Sequence, residues 1–332
     1  MTQRLVLLRL VNGIGIICGE MKVLFVGSGN HGEVSPIIKS QGDSLALIDV
    51  EVEYFLIRGK GLRGYLGYVK SLRKYLRESR FDVIHAHYSL SAFTASLASA
   101  RPLVVSLMGS DVKATWLYKM VIRLFARVYR WKEIVVKSQD MYEDLKIRRA
   151  KIIPNGVDLE LFKPLDKESC RRSLGWDSES THVLFPADPS RVEKDFELAE
   201  KAIDLLESSV KMHVFEKVDH KMTPLHFNAA DVVLLTSKWE GSPNVIKEAL
   251  ACGCPIVSTD VGDVRERMAG VEGCYVANTR EPKELADLLQ KAISFEGKTN
   301  GRDKIIADGL DNRLVAERLV EIYERVLKNE KC

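Results

Sequence analysis

Two glutamates, Glu240 and Glu248, flank a predicted helix start in the stretch KWEGSPNVIKEALACGCP. The apolar run DVVLLTS ends just before them, and Pro243 is suited to open the helix because a missing N–H costs nothing there. Free amides and the positive end of such a helix favour an anionic or hydroxyl-rich ligand. Glu240 precedes the helix and Glu248 lies about a turn and a half inside it. We therefore predict that both carboxylates reach one ligand from different depths.

A pattern typical of phosphate-binding loops, Gly27-x-Gly29-x-x-Gly32, follows the apolar run VLFV. This is the spacing of the dinucleotide fingerprint, in which glycines let the backbone approach a pyrophosphate. Asp49 closes the next apolar run, LALIDV, twenty residues after Gly29, and is suited to the ribose of NAD. The pattern by itself leaves an NAD(P)-dependent oxidoreductase open.

These motifs need strands and helices that bring them together. Segments of helical spacing alternate with strand-like apolar runs, among them KVLFVG, LALIDV, DVIHAH, PLVVSL, HVLFPA and PIVSTD. The alternation predicts an α/β protein with doubly wound parallel sheets. A chain of 332 residues exceeds one hydrophobic core, and the periodicity restarts near His182. We therefore predict two Rossmann-like domains, with the ligand in the cleft between them, beyond the carboxyl ends of the strands.

Composition narrows the class of protein further. Apolar residues make up 46% and charged residues 29% of the chain, as in globular proteins, and no apolar run reaches the roughly 18 residues of a membrane span. The six cysteines form no C-x-x-C pair and no metal spacing with the histidines, which predicts a reduced, cytosolic protein without a metal site. We interpret residues 1–20 as an upstream-start extension, because no small-x-small cleavage site follows their apolar stretch.

The net charge of +3 divides unevenly along the chain. Residues 1–150 carry 23 Lys and Arg against 13 Asp and Glu, whereas residues 151–332 carry 26 against 33. The stretch TWLYKMVIRLFARVYRWK has basic residues at helical spacing beside aromatic and aliphatic residues: Lys119, Arg123, Arg127 and Arg130. An anionic membrane surface and a core-packing helix with a solvated basic face both account for this pattern. No nucleic-acid-binding motif accompanies it.

The stretch EGSPNVIKEALACGCPIVSTDVGDVRE, which contains both glutamates, resembles the signature of the family 4 retaining glycosyltransferases. Four further segments match that family in the right order: DVIHAHYS, IIPNGVDLELFKP, FPADPSRVEKDFELAEKA and NAADVVLLTS. The resemblance covers nearly the whole chain from Met21. It implies the GT-B fold, with an acceptor domain over residues 21–157, a donor domain over 158–312 and a helix over 313–332 that crosses back to the first domain.

The roles of the family's site residues carry over at matching positions. Glu248 is implied to bind the ribose hydroxyls of a nucleoside-diphosphate sugar, and Glu240 to lie beside the donor sugar. Lys194 matches the lysine that neutralises the diphosphate, where a preorganised cation stabilises the growing charge of the leaving group. Arg191 is its expected basic partner, although it stands three residues before Lys194 where the family has five. Further donor contacts are expected from the backbone at Gly241, Ser242, Asn244, Val245, Gly27 and Gly29.

Two positions in the first half are predicted to contact the acceptor or the donor sugar. His85 and His87 alternate with an apolar strand, so we expect one in the core and His87, nearer the strand end, in the cleft. The family often has a histidine after the strand PLVVSL, and here Asp111 in LMGSD is the expected substitute. The family is metal-independent, and no metal or cofactor is expected. The segment after KMHVFE is short, so the nucleobase pocket is expected to depart from better-known members.

Three classes of function remain open at this point. The resemblance implies an enzyme that transfers a sugar to a glycan or lipid-linked acceptor with retention of configuration, in cell-surface polysaccharide or glycolipid biosynthesis. An NAD(P)-dependent oxidoreductase would use the Gly27 loop instead, and a non-catalytic sugar-nucleotide-binding subunit would keep the fold without turnover. The expected location is cytoplasmic, with the basic N-terminal half as the contact to the inner face of the cell membrane.

Overall fold

The computed structural model describes residues 21–30, 32–112, 115–206, 209–216 and 218–329. The extension proposed for residues 1–20 lies outside this part of the chain. Within it, two parallel sheets follow one another along the sequence, and each buries apolar side chains on both faces. This confirms the α/β class with two Rossmann-like domains that the alternating pattern predicts.

The N-terminal domain is built on one parallel sheet. Its strands are β1 Met21–Ser28, β2 Val50–Ile57, β3 Val83–His87, β4 Leu103–Ser106, β5 Glu133–Val136 and β6 Lys151–Ile152. Its helices are α1 Pro36–Ala46, α2 Gly61–Leu66, α3 Val69–Glu78, α4 Ser89–Leu97, α5 Trp116–Val128 and α6 Gln139–Leu145. The spatial order of the strands is β2-β1-β3-β4-β5-β6. The order reverses between β1 and β3, which leaves a crevice beyond the carboxyl ends of these strands.

The C-terminal domain repeats this plan. Its strands are β7 Thr181–Phe185, β8 Val210–Val214, β9 Val232–Leu235, β10 Ile256–Thr259 and β11 Cys274–Ala277. Its helices are α7 Lys167–Leu174, α8 Phe196–Ile203, α9 Thr223–Ala229, α10 Asn244–Ala251, α11 Val264–Met268, α12 Pro282–Ile293 and α13 Gly301–Ala307, with 3-10 turns at Val192–Lys194 and His220–Met222. The spatial order is β11-β10-β9-β7-β8, so the reversal falls between β7 and β9.

The last helix, α14 Asn312–Lys328, returns to the N-terminal domain. Its buried face, which includes Leu319 and Tyr323, packs in one hydrophobic cluster with Val23 and Phe25 of β1. The chain crosses between the domains at two segments that pair with each other. The Val157 amide donates to the Leu310 carbonyl at 2.8 Å, and the Asn312 amide donates to the Val157 carbonyl at 2.9 Å. This is the crossing helix that the GT-B resemblance implies.

One predicted strand is wrong. The run LALIDV is the end of α1 and the turn after it, and β2 begins only at Val50. Leu45 is buried on the inner face of α1 while Leu47 is 81% exposed, so the run is apolar in composition without forming one buried strand. Asp49 has φ of 63° in the turn that precedes β2. It therefore lies at the amino edge of the sheet, opposite the edge that carries the Gly27 loop.

The chemistry of the described cysteines is that of small core residues. Cys170, Cys252 and Cys254 are buried free thiols, and Cys274 is half-buried. Burial raises the pKa of Cys254 to about 12, which keeps its thiol protonated. The described residues contain no group of His, Cys, Asp and Glu suited to a metal ion, and no helix among them is long and apolar enough to cross a bilayer.

Candidate donor site

The candidate site lies at the strand-order reversal of the C-terminal domain. β7 and β9 are neighbours in the sheet, and the loops after them carry Lys194 and Glu240. The Thr236 hydroxyl after β9 donates to the carbonyls of Lys194 and Asp195, at 2.9 and 2.8 Å. Because these hydrogen bonds join the two loops, residues 46 positions apart are held at one edge of the cleft.

Lys194 and Glu240 form an ion pair at this edge. The Lys194 ammonium donates to Oε1 of Glu240, and the Ser237 hydroxyl donates to the same oxygen at 2.8 Å. The two side chains are 9% and 17% exposed, so the pair is largely withdrawn from water, and the Glu240 backbone lies beside Gly109 of the N-terminal domain. The arrangement places a cation where an anionic ligand could exchange for the carboxylate.

Arg191 points elsewhere. Its guanidinium bonds Oε1 of Glu193, with Nη2 at 2.6 Å and Nε at 2.8 Å, and its side chain is 54% exposed. The structure therefore brings Lys194 to Glu240 but pairs Arg191 with Glu193, and a contact from Arg191 to a diphosphate stays a prediction. The arginine that braces the site is Arg280, which sequence analysis did not single out. It donates to the Ser237 carbonyl at 2.7 Å and to Oδ2 of Asp195 at 2.5 Å.

Glu248 lies on a buried face of α10, eight residues after Glu240. Its side chain is 12% exposed, and its Oε1 accepts a hydrogen bond from Nε2 of His220 at 3.1 Å. The hydrogen bond to Glu248 raises the pKa of His220 against the opposing effect of burial. Both residues line a cavity at the domain junction together with Asn155 and Asn244. Sequence analysis singled out Glu248 but not His220. The available signal for His220 was its position in the short segment after β8, where the sequence already predicts an altered pocket.

The turn before α10 is built for close approach between the domains. An added Cβ on Gly109, in the loop after β4, would lie 3.0 Å from the Gly241 amide nitrogen. The Ser242 hydroxyl donates to Oδ2 of Asp263 at 2.9 Å. Pro243 is the N-cap residue and α10 begins at Asn244, so the helix starts one residue later than predicted. Pro243 has no side-chain oxygen, and the first-turn amides therefore have no N-cap acceptor.

Two buried lysines that sequence analysis did not use hold the linker between the domains. Lys137, after β5, donates to the Ile153 carbonyl at 3.3 Å, and Lys247, on α10, donates to the Asn155 carbonyl at 2.8 Å. Burial lowers the pKa of Lys137 to about 7 and that of Lys247 to about 8, and the charge of Lys247 further lowers the pKa of Lys137. One lysine from each domain therefore fixes the linker beside α10.

The two histidines of β3 lie on the same face of the strand, which corrects the expectation that one faces the core and one the cleft. Residues two apart on a strand point the same way, and the rings of His85 and His87 stack at 4.3 Å. His85 bonds the Tyr323 hydroxyl at 2.6 Å and Ser106 at 2.8 Å. His87 is 2% exposed, and its Nε2 has no hydrogen-bond partner among the described residues. Burial lowers the pKa of His87 to about 3, so the ring is neutral at pH 7.

Asp111 is fully buried in the N-terminal domain. Its Oδ1 accepts from the amides of Met108 and Gly109 at 3.0 Å, and its Oδ2 accepts from the Ser89 amide at 3.1 Å. Burial raises the pKa of Asp111 to about 6, although these hydrogen bonds oppose the rise. The carboxylate thus joins the loop after β4 to the positive end of α4. A direct contact with a sugar stays a prediction.

The Gly27 loop does not have the geometry of a dinucleotide site. An added Cβ on Gly27 would lie 2.8 Å from Ile38, and one on Gly29 would lie 2.8 Å from Leu56, so both glycines serve close packing. The helix α1 begins at Pro36, four residues after Gly32, whereas the fingerprint places the glycines at the helix start. Asp49 at the opposite edge cannot reach a ribose bound here, so the oxidoreductase interpretation does not fit.

Two Rossmann-like domains, joined by paired crossing segments and closed by a returning helix, define the GT-B class of folds. Solved structures of that class are similar over almost the full chain. Sucrose-phosphate synthase from Thermosynechococcus elongatus has a TM-score of 0.79 at 14% identity and covers 93% of this chain and 100% of its own. HepE from Anabaena in complex with UDP has a TM-score of 0.70 at 19% identity, with coverage of 92% and 100%.

Family models match both domains. The family described as Glycosyltransferase Family 4 matches residues 30–161, and Glycosyl transferases group 1 matches residues 189–294. Together the two models account for more than two thirds of the chain. The protein belongs to the family 4 glycosyltransferases.

Curated relatives agree with this assignment. A protein named for teichuronic acid biosynthesis, the glycosyltransferase TuaC of Bacillus subtilis, is 29% identical over 255 residues, or 68% of this chain and 64% of the relative. The Escherichia coli UDP-Gal:α-D-GlcNAc-diphosphoundecaprenol α-1,3-galactosyltransferase is 25% identical over 69% of this chain and 72% of its own. The chain spans less than two thirds of the length of TuaC and of the D-inositol 3-phosphate glycosyltransferase of Frankia alni.

Proposed function

We propose that the protein transfers a sugar from a nucleoside-diphosphate sugar to a glycan or lipid-linked acceptor, with retention of configuration. The observation that carries the proposal is the Lys194–Glu240 ion pair, which stands with Glu248 at the strand-order reversal of the C-terminal domain. The diphosphate of such a donor needs a cation, and the hydroxyls of its ribose and sugar need acceptors. The site offers a cation and two carboxylates at different depths. HepE, which shares the fold, is described in complexes with UDP and with UDP-glucose.

The proposed roles follow from charge and position. Lys194 binds the diphosphate and stabilises the negative charge that grows on it as the bond to the sugar breaks. Glu248 accepts from the ribose hydroxyls, and Glu240 contacts the donor sugar after the diphosphate takes over the ammonium. The acceptor hydroxyl attacks the face from which the nucleoside diphosphate leaves, and its proton passes to that phosphate. The new glycosidic bond then forms with retained configuration, and no metal takes part.

The biological setting is proposed from the relatives. Their names refer to teichuronic acid biosynthesis and to a diphosphoundecaprenol-linked acceptor. We therefore place the protein in the synthesis of a cell-surface polysaccharide or glycolipid, in the cytoplasm at the inner face of the membrane. A chelator should leave activity unchanged if the reaction is metal-independent.

Calorimetry and a transfer assay test the activity. The protein should bind a nucleoside diphosphate and ignore NADH, which separates this function from an oxidoreductase. Release of nucleoside diphosphate from a donor sugar should be lost in Lys194→Ala and Glu240→Ala. Lys201→Ala, which removes an exposed lysine paired with Glu197 in the same domain, is the matched control and should retain activity. Binding without any turnover across a panel of donors and acceptors would point to a non-catalytic subunit.

We also propose that helix α5 contacts an anionic membrane surface. Its outer face carries apolar side chains at one-turn spacing, with exposed fractions of 67% for Trp116, 51% for Met120 and 57% for Leu124. Arg127 and Arg130 are exposed beside them. An apolar stripe flanked by cations suits an interface of acyl chains and anionic headgroups, at about 1 kcal/mol per basic residue.

The structure changes which basic residues belong to this face. Arg123 donates to the Leu145 carbonyl at 2.8 Å, and Lys119 pairs with Asp144 at 3.2 Å, so both turn towards α6. The informative variants are therefore Arg127→Glu and the pair Trp116→Glu with Leu124→Glu.

Sedimentation with phosphatidylglycerol vesicles tests the proposal, with phosphatidylcholine vesicles as the uncharged comparison. The wild type should sediment with the anionic vesicles, and the variants of α5 should remain in solution. Ile306→Glu, at a position of 50% exposure in the donor domain, is the matched control. Equal sedimentation of all variants would show that α5 is not the contact.

A further inference from the structure

His220 is held in a fixed position by its own short turn. It opens the 3-10 turn His220–Met222 after β8, and the Asp219 side chain caps that turn by accepting from the Lys221 amide at 3.0 Å. The Thr223 hydroxyl donates to the His220 carbonyl at 2.8 Å. The ring of Phe162 lies edge-on to the imidazole at 5.4 Å. The backbone and one ring face are thus fixed, and Nε2 is directed at α10.

The partner of this imidazole is the buried end of Glu248. Oε1 accepts from His220, whereas no donor in the described part of the chain bonds Oε2. A carboxylate that is 12% exposed is costly to bury unless it is paired. His220 pairs with one of the two carboxylate oxygens, Oε1, and leaves Oε2 for another donor. The cavity at the domain junction borders both side chains, so a hydroxyl donor in that cavity could reach the unbonded oxygen.

The charges around His220 favour its role as a donor. Glu248, Asp219 and Asp158 all act on the imidazole in the direction that raises its pKa, and burial acts against them. The raised pKa increases the fraction of imidazolium near neutral pH, and both ring nitrogens of an imidazolium are donors. Hydrogen bonds between ionised groups are shorter and stronger than those between neutral groups, so an imidazolium holds the carboxylate firmly.

We propose that His220 is a positioning residue of the donor site, which holds Oε1 of Glu248 so that Oε2 faces the ribose hydroxyls of the bound nucleotide. This rests on the proposed function, in which Glu248 accepts from the ribose. Without the imidazole, the carboxylate loses its fixed orientation and can turn to water. The selectivity for a ribose with free hydroxyls should then decline, while contacts to the diphosphate persist.

The test compares two ligands by calorimetry. The probes are UDP and 2′,3′-dideoxy-UDP, after a thermal-shift comparison of UDP, GDP and ADP has identified the best-bound base, whose dideoxy form then replaces the uridine probe. The variants are His220→Phe, which keeps a ring but has no donor, and His220→Gln, whose amide can still donate to Oε1. His226→Phe is the control, since His226 lies on α9 of the same segment and bonds the Met222 carbonyl at 3.0 Å instead of Glu248.

The wild type and His226→Phe should bind the ribonucleotide about 30- to 100-fold more tightly than its dideoxy form, as expected for lost hydrogen bonds to a charged group. His220→Phe should reduce this ratio at least about five-fold, and His220→Gln should restore most of it. Equal weakening of both ligands in His220→Phe would indicate a merely structural role and overturn the inference. A wild type that binds the nucleotide without discrimination also overturns it, whereas a wild type that binds no nucleotide overturns the proposed function itself.

Discussion

Glu240→Gln and Lys194→Met should shift nucleotide affinity in opposite directions. In the free protein the Lys194 ammonium is bonded to Glu240, and Ser237 supports the carboxylate. A diphosphate that binds Lys194 must replace this carboxylate and then stand beside its negative charge. Glu240→Gln keeps the shape and the Ser237 contact but removes the charge, so the diphosphate meets less competition. Lys194→Met keeps the apolar stem and removes the cation.

The magnitude follows from the exposure of the pair. Two unit charges about 4 Å apart interact by roughly 1 kcal/mol in water and about 4 kcal/mol at an effective dielectric constant of about 20. The side chains are 9% and 17% exposed, and solvent in the cleft screens them further, which brings the interaction to about 1–2 kcal/mol. Glu240→Gln should therefore tighten UDP binding about 5- to 30-fold. Lys194→Met loses a charge-assisted hydrogen bond and should weaken it about 10- to 100-fold.

The assay is calorimetric titration with UDP at constant pH and ionic strength. Lys201→Met is the control, because its exposed pair with Glu197 should leave affinity unchanged. Sugar transfer should be lost in both site variants, so that Glu240→Gln binds more tightly and turns over less. If Glu240→Gln weakened UDP binding as Lys194→Met does, the carboxylate would be a contact to the nucleotide and the exchange argument would be refuted.

Three further predictions concern stability. Gly262→Ala should destabilise the donor domain by about 2–4 kcal/mol, because φ at Gly262 is +58° and an added Cβ would lie 2.3 Å from the Gly241 carbonyl oxygen. Urea unfolding compares it with Gly270→Ala, where φ is also positive but no atom lies within 4 Å, and the difference in unfolding free energy measures the cost of the clash. Tyr323→Phe should cost about 1–3 kcal/mol, since His85 then loses a buried 2.6 Å hydrogen bond, and an unchanged urea midpoint would contradict this. The raised pKa of His220 means that its ion pair stabilises the fold fully below pH 6.5 and less as the pH rises through that pKa. The difference in melting temperature between the wild type and His220→Phe should accordingly shrink towards alkaline pH, and a constant difference would contradict the assignment.

Features with local signals could be predicted well. The start of α10 was predicted to within one residue. Gly241 and Pro243 restrict the backbone of the turn in which they stand, so the signal is local. Glu240 and Glu248 are eight residues apart, on a loop and the helix that follows it, so their relation depends on the local turn and on helical geometry. The class of fold likewise follows from a periodicity that repeats along the chain.

Two expectations are wrong: the strand at LALIDV and the opposite orientations of the two histidines of β3. LALIDV is short and apolar, and such a run is compatible with a strand or with the end of a buried helix. The packing of α1 on the sheet decided for the helix and moved Asp49 to the opposite edge. The strand period of two places His85 and His87 on one face, which overturns the expectation that one faces the core and the other the cleft. Arg191 is paired with its near neighbour Glu193, which no spacing rule indicated, and its contact to a diphosphate stays a prediction.

The sequence by itself determined the α/β class, the division into two domains and the placement of two carboxylates around one helix start. Only the tertiary structure decided that Lys194 meets Glu240 across 46 residues, that His220 meets Glu248 across 28, and that His85 meets Tyr323 across 238. These contacts depend on the spatial order of the strands and on the returning helix. Periodicity reports which face of an element is buried, but it does not report which distant element covers that face.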